Sequence, residues 1–214
     1  MAASSRRYVP PSRFHRDKFH DGVTMSVMDA VGRINLLLWT AFYVYWLISA
    51  LGVKKRLRGA RHGVAIRALI GIVIYILFIR SGGFRYLNLA GVAFSSVIVR
   101  AMCLLFCTLG LALAVWARIY LGSNWGTPMS LREGHELVTS GPYRFIRHPI
   151  YTGILLAMLA SAGLAGPIWL AAFIFFGGFF VYSAKTEERL MAEQFPTEYP
   201  EYKRRSKRLI PFVW

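Results

Sequence analysis

Residues Pro149–Ala184 read PIYTGILLAMLASAGLAGPIWLAAFIFFGGFFVYSA, 36 positions without a charged side chain. At about 1.5 Å per residue, one straight helix of this length would run to roughly 54 Å, against a hydrocarbon layer about 30 Å thick. The stretch has to fold back. Gly163 and the Gly166-Pro167 pair are its strong breakers, so the pattern predicts a short helix from Pro149 to about Ala162, a tight turn, and a second helix from Pro167 to about Ala184. Small residues at Gly153, Ala157 and Ser161 on the first, and at Ala171 and Gly178 on the second, predict a hairpin with closely approaching backbones. A helix of about 14 residues rises only about 20 Å, so His148, just ahead of it, is expected to be drawn inward to headgroup depth.

The rest of the chain extends the same pattern. Ile34–Val53 is an uncharged run of 20 residues, a second apolar stretch covers about Val64–Ile79, and a third runs from Val92 to about Tyr120 with Arg100 inside it. Arg100 in lipid would be costly, so it is expected near an interface, against a carbonyl, or facing a polar cavity. The expected fold is therefore all-α, a polytopic membrane protein of about five transmembrane helices whose last two form a tight hairpin. Only 17% of the 214 residues are charged, against about 25% in soluble domains, and 56% are hydrophobic, which excludes a disordered chain. Cys103 and Cys107, four apart in an apolar stretch, read as small apolar residues on one helix face and form no disulfide framework.

Charge sets the expected orientation. The 26 basic against 10 acidic residues leave +16, concentrated ahead of the first span (Arg6, Arg7, Arg13, Arg16, Lys18, Arg33), after it (Lys54, Lys55, Arg56, Arg58, Arg61) and near the C-terminus (Lys203, Arg204, Arg205, Lys207, Arg208). Only Arg80 and Arg85 fall between the second and third spans. The positive-inside rule then places the connector around Arg56, the region of Gly141 and the C-terminus in the cytoplasm. With five spans the N-terminal tail breaks that rule, unless it lies along a membrane surface as a basic amphipathic piece. The start is polar and lacks a short apolar region with a cleavage site, so no signal peptide is expected. The organisation expected is a basic tail (1–33), three transmembrane helices (34–120), a cytosolic connector (121–148), the hairpin (149–184) and an amphipathic C-terminal tail (185–214). The K-R-R-S-K-R run at 203–208 lies close behind a span, where attraction to anionic lipid accounts for it without nucleic acid.

Polar residues of varied chemistry gather in that connector and in the tail after Ala184. The connector ends T-S-G-P-Y-R-F-I-R-H-P-I-Y-T-G (139–153); E-E-R-L comes next at 187–190 and F-P-T-E-Y-P-E-Y at 195–202. Leu190, Met191 and Phe195 give the tail an apolar side that Pro196 should end. This combination resembles the isoprenylcysteine carboxyl methyltransferase family, with related phospholipid methyltransferases, over roughly Trp116–Phe212. The resemblance implies S-adenosylmethionine as cofactor, bound without a Rossmann fold between the connector, the last two spans and the tail. No glycine-rich dinucleotide fingerprint is present, and no metal site is expected. By resemblance, His135, Glu136, Leu137 and Val138 line the adenosine side with Tyr143 nearby, His148, Pro149 and Tyr151 come after them, and Glu187 and Glu188 form the acidic pair, one of which holds the cofactor's positive end. Read alone, Pro149 is a good helix start and Glu187/Glu188 are ordinary carboxylates beside a span. Some family members carry an arginine shortly before the acidic pair where this chain has Ser183 and Lys185, which leaves Arg144, Arg147 and Lys185 as alternative anchors for the acceptor.

Methyl transfer needs an in-line nucleophile within about 3.5 Å of the methyl group, and mostly orientation and desolvation beyond that. A carboxylate acceptor needs only a cation to hold it, for which Arg144 or Arg147 is suited. A lipid amine must first lose a proton to a base such as His148 or a glutamate. Trp125, Tyr143, Phe145, Tyr151 and Tyr199 could face a sulfonium, although aromatic residues also form ordinary interfacial belts. The function expected is membrane carboxyl O-methylation of a lipophilic or lipid-anchored acceptor entering from the bilayer, with the site on the cytoplasmic face and Arg144, Arg147 and Glu188 as its catalytic residues. Phospholipid N-methylation is the alternative, then a membrane reductase or, because of Arg100, a small transporter.

Overall fold

The computed structural model describes residues 13–51, 96–122 and 136–210, and the side chains of the first helix over 30–49. The second predicted span, the connector up to His135 and the last four residues lie outside these. Four long helices, a 3-10 turn and a short final helix succeed one another in chain order: α1 (Arg13–Leu51), α2 (Val97–Leu121), the turn Gly141–Arg144, α3 (Pro149–Ala165), α4 (Ile168–Gln194) and α5 (Glu198–Arg205). Ala30–Ser49, Val97–Leu121 and Ile168–Gln194 are each long and apolar enough to cross a bilayer, and Pro149–Ala165 is apolar but shorter. Their outer faces leave Leu37, Ile48, Ile98, Ile119, Ile174 and Phe175 exposed, as lipid-facing helices do. This is the build of an integral membrane protein.

Boundaries differ from the sequence expectation for identifiable reasons. Gly163 does not break α3; it is buried inside the helix, and the chain turns only at Gly166, whose φ of 100° L-residues rarely adopt. Pro167 then leads straight into α4. That helix runs on past Ala184 to Gln194, so the tail's amphipathic segment continues the span, ending one residue before Phe195-Pro196. Toward the other end of the chain α1 begins at Arg13, so Arg13, Arg16, Lys18 and Arg33, expected ahead of the first span, are part of that helix, while Arg6 and Arg7 lie outside the described residues.

The closest backbone packing is between α2 and α3, not within the expected α3–α4 pair. A Cβ on Gly110 would lie 2.5 Å from the Gly153 carbonyl oxygen and 2.8 Å from the Ala157 nitrogen, and a Cβ on Gly153 would strike the Gly110 carbonyl. Ala114 continues the seam, which lets the two helix backbones touch where larger side chains would separate them. On α4, by contrast, a Cβ at Gly178 meets nothing within 4 Å. The small residues of α3 are used against α2 because the stepped series Gly110, Ala114, Ala117 offers matching backbone there, while α4 presents Phe176, Phe179 and Phe180 around its glycines.

Helix α1 packs on this pair through Trp39 and Phe42, with Trp39 stacked on Trp169 of α4 at 4.9 Å. A polar knot is buried among them. Trp39 Nε1 donates to Ser161 Oγ (2.9 Å), Ser161 Oγ donates to Asn35 Oδ1 (3.0 Å), and Cys107 Sγ reaches the same oxygen at 3.3 Å. Cys107 is thus a hydrogen-bonding member of an interhelical knot as well as a small residue on a helix face. Arg100 is buried in the first turn of α2. Arg118, which hydrophobicity alone obscured, is buried at the other end, donating to the carbonyls of Gly122 and Ser49, both at 2.8 Å. It ties the C-terminal ends of α1 and α2 together and places a cation where both helix dipoles are negative. With Asn35 beside Cys107 and Ser49 beside Arg118, α1 and α2 run parallel.

Gly153→Val should therefore destabilise the protein by about 2 kcal/mol or more, because the displaced atoms are backbone. Gly178→Ala should be near neutral. Thermal unfolding of the two variants in detergent separates them, and equal midpoints would contradict the α2–α3 seam.

Candidate functional site

The polar end of the bundle is built by three segments: the chain from Glu136 to His148, the C-terminal end of α4, and a strap from Pro196 to Ile210 that includes α5. Gly141, with φ of 56°, lies where any Cβ would strike the Tyr120 ring, so the turn into the 3-10 helix can press against α2. Tyr143 comes two residues later and is buried with Ala117 and Ile150, and Val138 and Tyr151 pack around them. Pro149 opens α3 without needing an amide partner, which directs His148 inward. The His148 side chain is 10% exposed.

The strap returns over the start of α3. The amide of Arg147 donates to the Lys207 carbonyl (2.8 Å), Lys207 to Phe145 (3.0 Å) and His148 to Arg208 (3.1 Å), a short parallel pairing between distant segments. Tyr202 donates from its hydroxyl to the Tyr143 carbonyl (2.7 Å), and Thr152 Oγ1 donates to the Leu209 carbonyl (2.6 Å). Tyr199, Tyr202 and Leu209 are buried beneath it.

Glu188 is the centre of the charge arrangement, and its side chain is 4% exposed. Its Oε1 accepts from Arg147 Nε and Arg208 Nε, and its Oε2 from Arg208 Nη2, all at 2.9 Å. Lys203 Nζ lies 3.9 Å from Oε2 and His148 Nε2 3.6 Å from Oε1. Arg147 spends its remaining contacts on the carbonyls of Lys203 and Ser206. A buried carboxylate with two guanidinium partners is strongly favoured as an anion, and each partner in turn needs it. Tyr202 belongs to the E-Y-x-x-Y part of the motif, whereas Arg208 and Ser206 were not singled out as site residues; within the run 203–208 the cations look alike, and only folding turns Arg208 inward.

Glu187, on the adjacent position of α4, faces a different set. Its Oε1 accepts from the Tyr151 hydroxyl (2.6 Å) and its Oε2 lies 3.4 Å from His148 Nδ1. The rings of His148, Tyr151 and Phe180 form a stack, with centroids 5.4 and 4.5 Å apart and planes within 5° of parallel. Burial opposes protonation of His148, but the neighbouring carboxylates of Glu187 and Glu188 outweigh it and raise its pKa above the ordinary 6.5.

Of the residues singled out from sequence, Tyr143, Arg147, His148, Pro149, Tyr151, Glu187 and Glu188 are brought together here. Leu137 and Val138 are half-buried, Glu136 is exposed, and His135 lies outside the described residues. Arg144 is exposed with its guanidinium 5.8 Å above the Phe145 ring, and Lys185 is also exposed. Ser183, at the place of the family's arginine, is fully buried.

Comparison with known proteins bears on the family. Residues 101–194 match the sequence model of the isoprenylcysteine carboxyl methyltransferase family, so the resemblance drawn from the motifs is borne out over that stretch. The chain is 33% identical over 109 residues to a cobalt-zinc-cadmium resistance protein of Cupriavidus metallidurans, covering 48% of this chain and 46% of that protein. It is 36% identical over 83 residues to protein-S-isoprenylcysteine O-methyltransferase B of Arabidopsis thaliana, covering 38% of this chain and 42% of that one. Over 81 residues it is 38% identical to protein-S-isoprenylcysteine O-methyltransferase of Saccharomyces cerevisiae, covering 37% and 34%. The matches thus span less than half the length of each of these relatives.

Glu188→Gln leaves two buried guanidinium groups short of their anion, which should loosen the strap by about 3 kcal/mol. Trypsin should then cut within 203–208 far faster than in wild type, and an unchanged rate would show that Glu188 does not hold the strap. His148, whose pKa rises on folding, contributes stability that is complete below 6.5 and lost as the pH climbs through its folded value. Thermal midpoints should fall over that upward range in wild type and lose this component in His148→Gln.

Proposed function

We propose that this chain, a member of the isoprenylcysteine carboxyl methyltransferase family over residues 101–194, is an integral-membrane methyltransferase that uses S-adenosylmethionine. The observation that carries the reading is the Tyr151–Glu187–His148 group, a carboxylate set against stacked aromatic rings at the buried end of α3 and α4. Anionic oxygen beside ring faces is the environment a sulfonium favours, so the residues present fit that cofactor. When bound, the cofactor supplies an electrophilic methyl group.

The chain's own residues do the rest by position. Glu187 holds positive charge at the ring stack, with Tyr151 fixing its carboxylate through the 2.6 Å bond. Glu136, Leu137, Val138 and Tyr143, with His135 ahead of them, form the adenosine side, and Pro149 fixes the backbone where the connector enters α3. Glu188 and Arg147 act as positioning residues, because their charges are already spent on each other and on Arg208. That leaves exposed Arg144, or Lys185, to hold the carboxylate of a lipophilic, isoprenylcysteine-like acceptor arriving from the bilayer. Water is kept from the reacting atoms by the strap and by Phe180.

Phospholipid N-methylation has one observation in its favour. An acceptor ammonium must lose a proton, and His148 between Glu187 and Glu188 is placed to take it. The five-span reading takes α1 and α2 as its first and third spans, and their parallel course favours it. The basic character of 203–208 supports a cytoplasmic site.

Titration of S-adenosylhomocysteine into the detergent-purified full chain tests the reading. Wild type should bind saturably and Glu187→Gln at least roughly tenfold more weakly, a difference of about 1.4 kcal/mol. In proteoliposomes, Arg144→Gln should raise KM for a farnesylcysteine acceptor while leaving cofactor binding intact. Absence of binding to folded wild type would overturn the assignment.

A further inference from the structure

The strap has two faces. Inward go Tyr199, Tyr202, Ser206 and Leu209, all buried, together with Arg208 on Glu188. Outward go Lys203, Arg204, Arg205 and Lys207, all exposed, and Arg144 from the facing segment is exposed beside them. The acidic residues of α5, Glu198 and Glu201, sit in its first turn, so from the last turn of α5 onward the strap carries charge of one sign. Two exposed apolar side chains border this cationic cluster, Phe145 at 53% and Ile210 at 52%.

Depth decides what such a cluster meets. Lys207 is hydrogen-bonded through its backbone to Phe145 and Arg147, and Arg147 lies two residues ahead of the first residue of α3. Leu209 is tied to Thr152, in the first turn of that helix. The exposed cations are thus pinned at the level where the apolar helices begin, which is where lipid phosphates lie. A cationic surface fringed by apolar side chains and anchored at that level matches an anionic leaflet in both charge and polarity.

We propose that the outer face of the strap, formed by Arg204, Arg205 and Lys207 with Phe145 and Ile210, docks on anionic lipid headgroups, and that this docking keeps the strap closed over the ends of α3 and α4. The backbone pairing through Lys207 links the two faces of the strap. A lipid that holds Arg205 and Lys207 down also holds the carbonyls of Ser206 and Lys207 against Arg147, and Arg208 against Glu188. Anionic lipid therefore orders the site without touching it. This inference does not depend on the chemistry performed there.

Hydrogen–deuterium exchange of the full chain in lipid nanodiscs tests it, with phosphatidylcholine alone compared with phosphatidylcholine plus phosphatidylserine. The amides of Arg147, His148 and Lys207 should exchange about tenfold more slowly in the anionic discs, and the gain should vanish at high salt. The Arg204→Gln/Arg205→Gln/Lys207→Gln variant should match wild type in neutral discs, a check on its folding, and show no slowing in anionic ones. Equal exchange of wild type in the two lipid compositions would overturn the proposal. So would equal slowing in neutral discs by soluble glycerophosphoserine or by polyuridylate, which would assign the face to a free phosphate or to nucleic acid.

Discussion

A carboxylate removed from water must be met by positive charge, and Glu188 sets that demand at the end of an apolar helix. The two guanidinium groups that answer it come from segments about 60 residues apart: Arg147 precedes α3, and Arg208 lies beyond α5. Satisfying one buried charge thus draws the C-terminal strap back across the start of α3. The remaining contacts, Tyr202 on the Tyr143 carbonyl and Thr152 on Leu209, hold in place a path already fixed by charge. Glu187, one residue earlier in the chain, points to the ring stack instead. Adjacent carboxylates so acquire different partners, one the guanidinium groups that hold the strap and one the ring stack.

Beneath this end the bundle relies on backbone contact more than on side-chain volume. In lipid, apolar side chains gain little by leaving their surroundings, so close approach and hydrogen bonds must supply the cohesion. The Gly110–Gly153 contact supplies the first, and the Asn35–Ser161–Trp39–Cys107 knot the second. Thr40 and Thr108 turn their hydroxyls onto the carbonyls of Leu36 and Leu104, hiding polar atoms within their own helices. Together these fix the register of three helices that apolar surfaces alone would leave free to slide.

Legibility in the sequence depends on whether a signal is local. The break at Gly166-Pro167 and the helix start at Pro149 depend on near neighbours, and the structure reproduces them. Gly163 misled because a glycine in a helix is a weak breaker unless positive φ is required, and here a neighbour three residues on takes that conformation. The partner of the α3 small residues was also unreadable, since spacing shows that a helix has a close face but not which helix fills it. Tyr143, Arg147, His148, Tyr151, Glu187 and Glu188, all quoted in the motif, lie together at one end of the bundle. Arg208 and Ser206, indistinguishable in composition from the exposed cations beside them, became visible only through the strap's path.

The short parallel pairing of Phe145, Arg147 and His148 with Lys207 and Arg208 has a temporal side. Its two halves are some 60 positions apart, so the later half is synthesised only after the helices between them. Apolar helices can enter the bilayer as they emerge, but the polar end cannot be assembled until residue 209 has left the ribosome. Membrane insertion and maturation of the site are therefore separate events. Between them, a nascent chain carries a half-built polar end in which Glu188 has yet to meet Arg208.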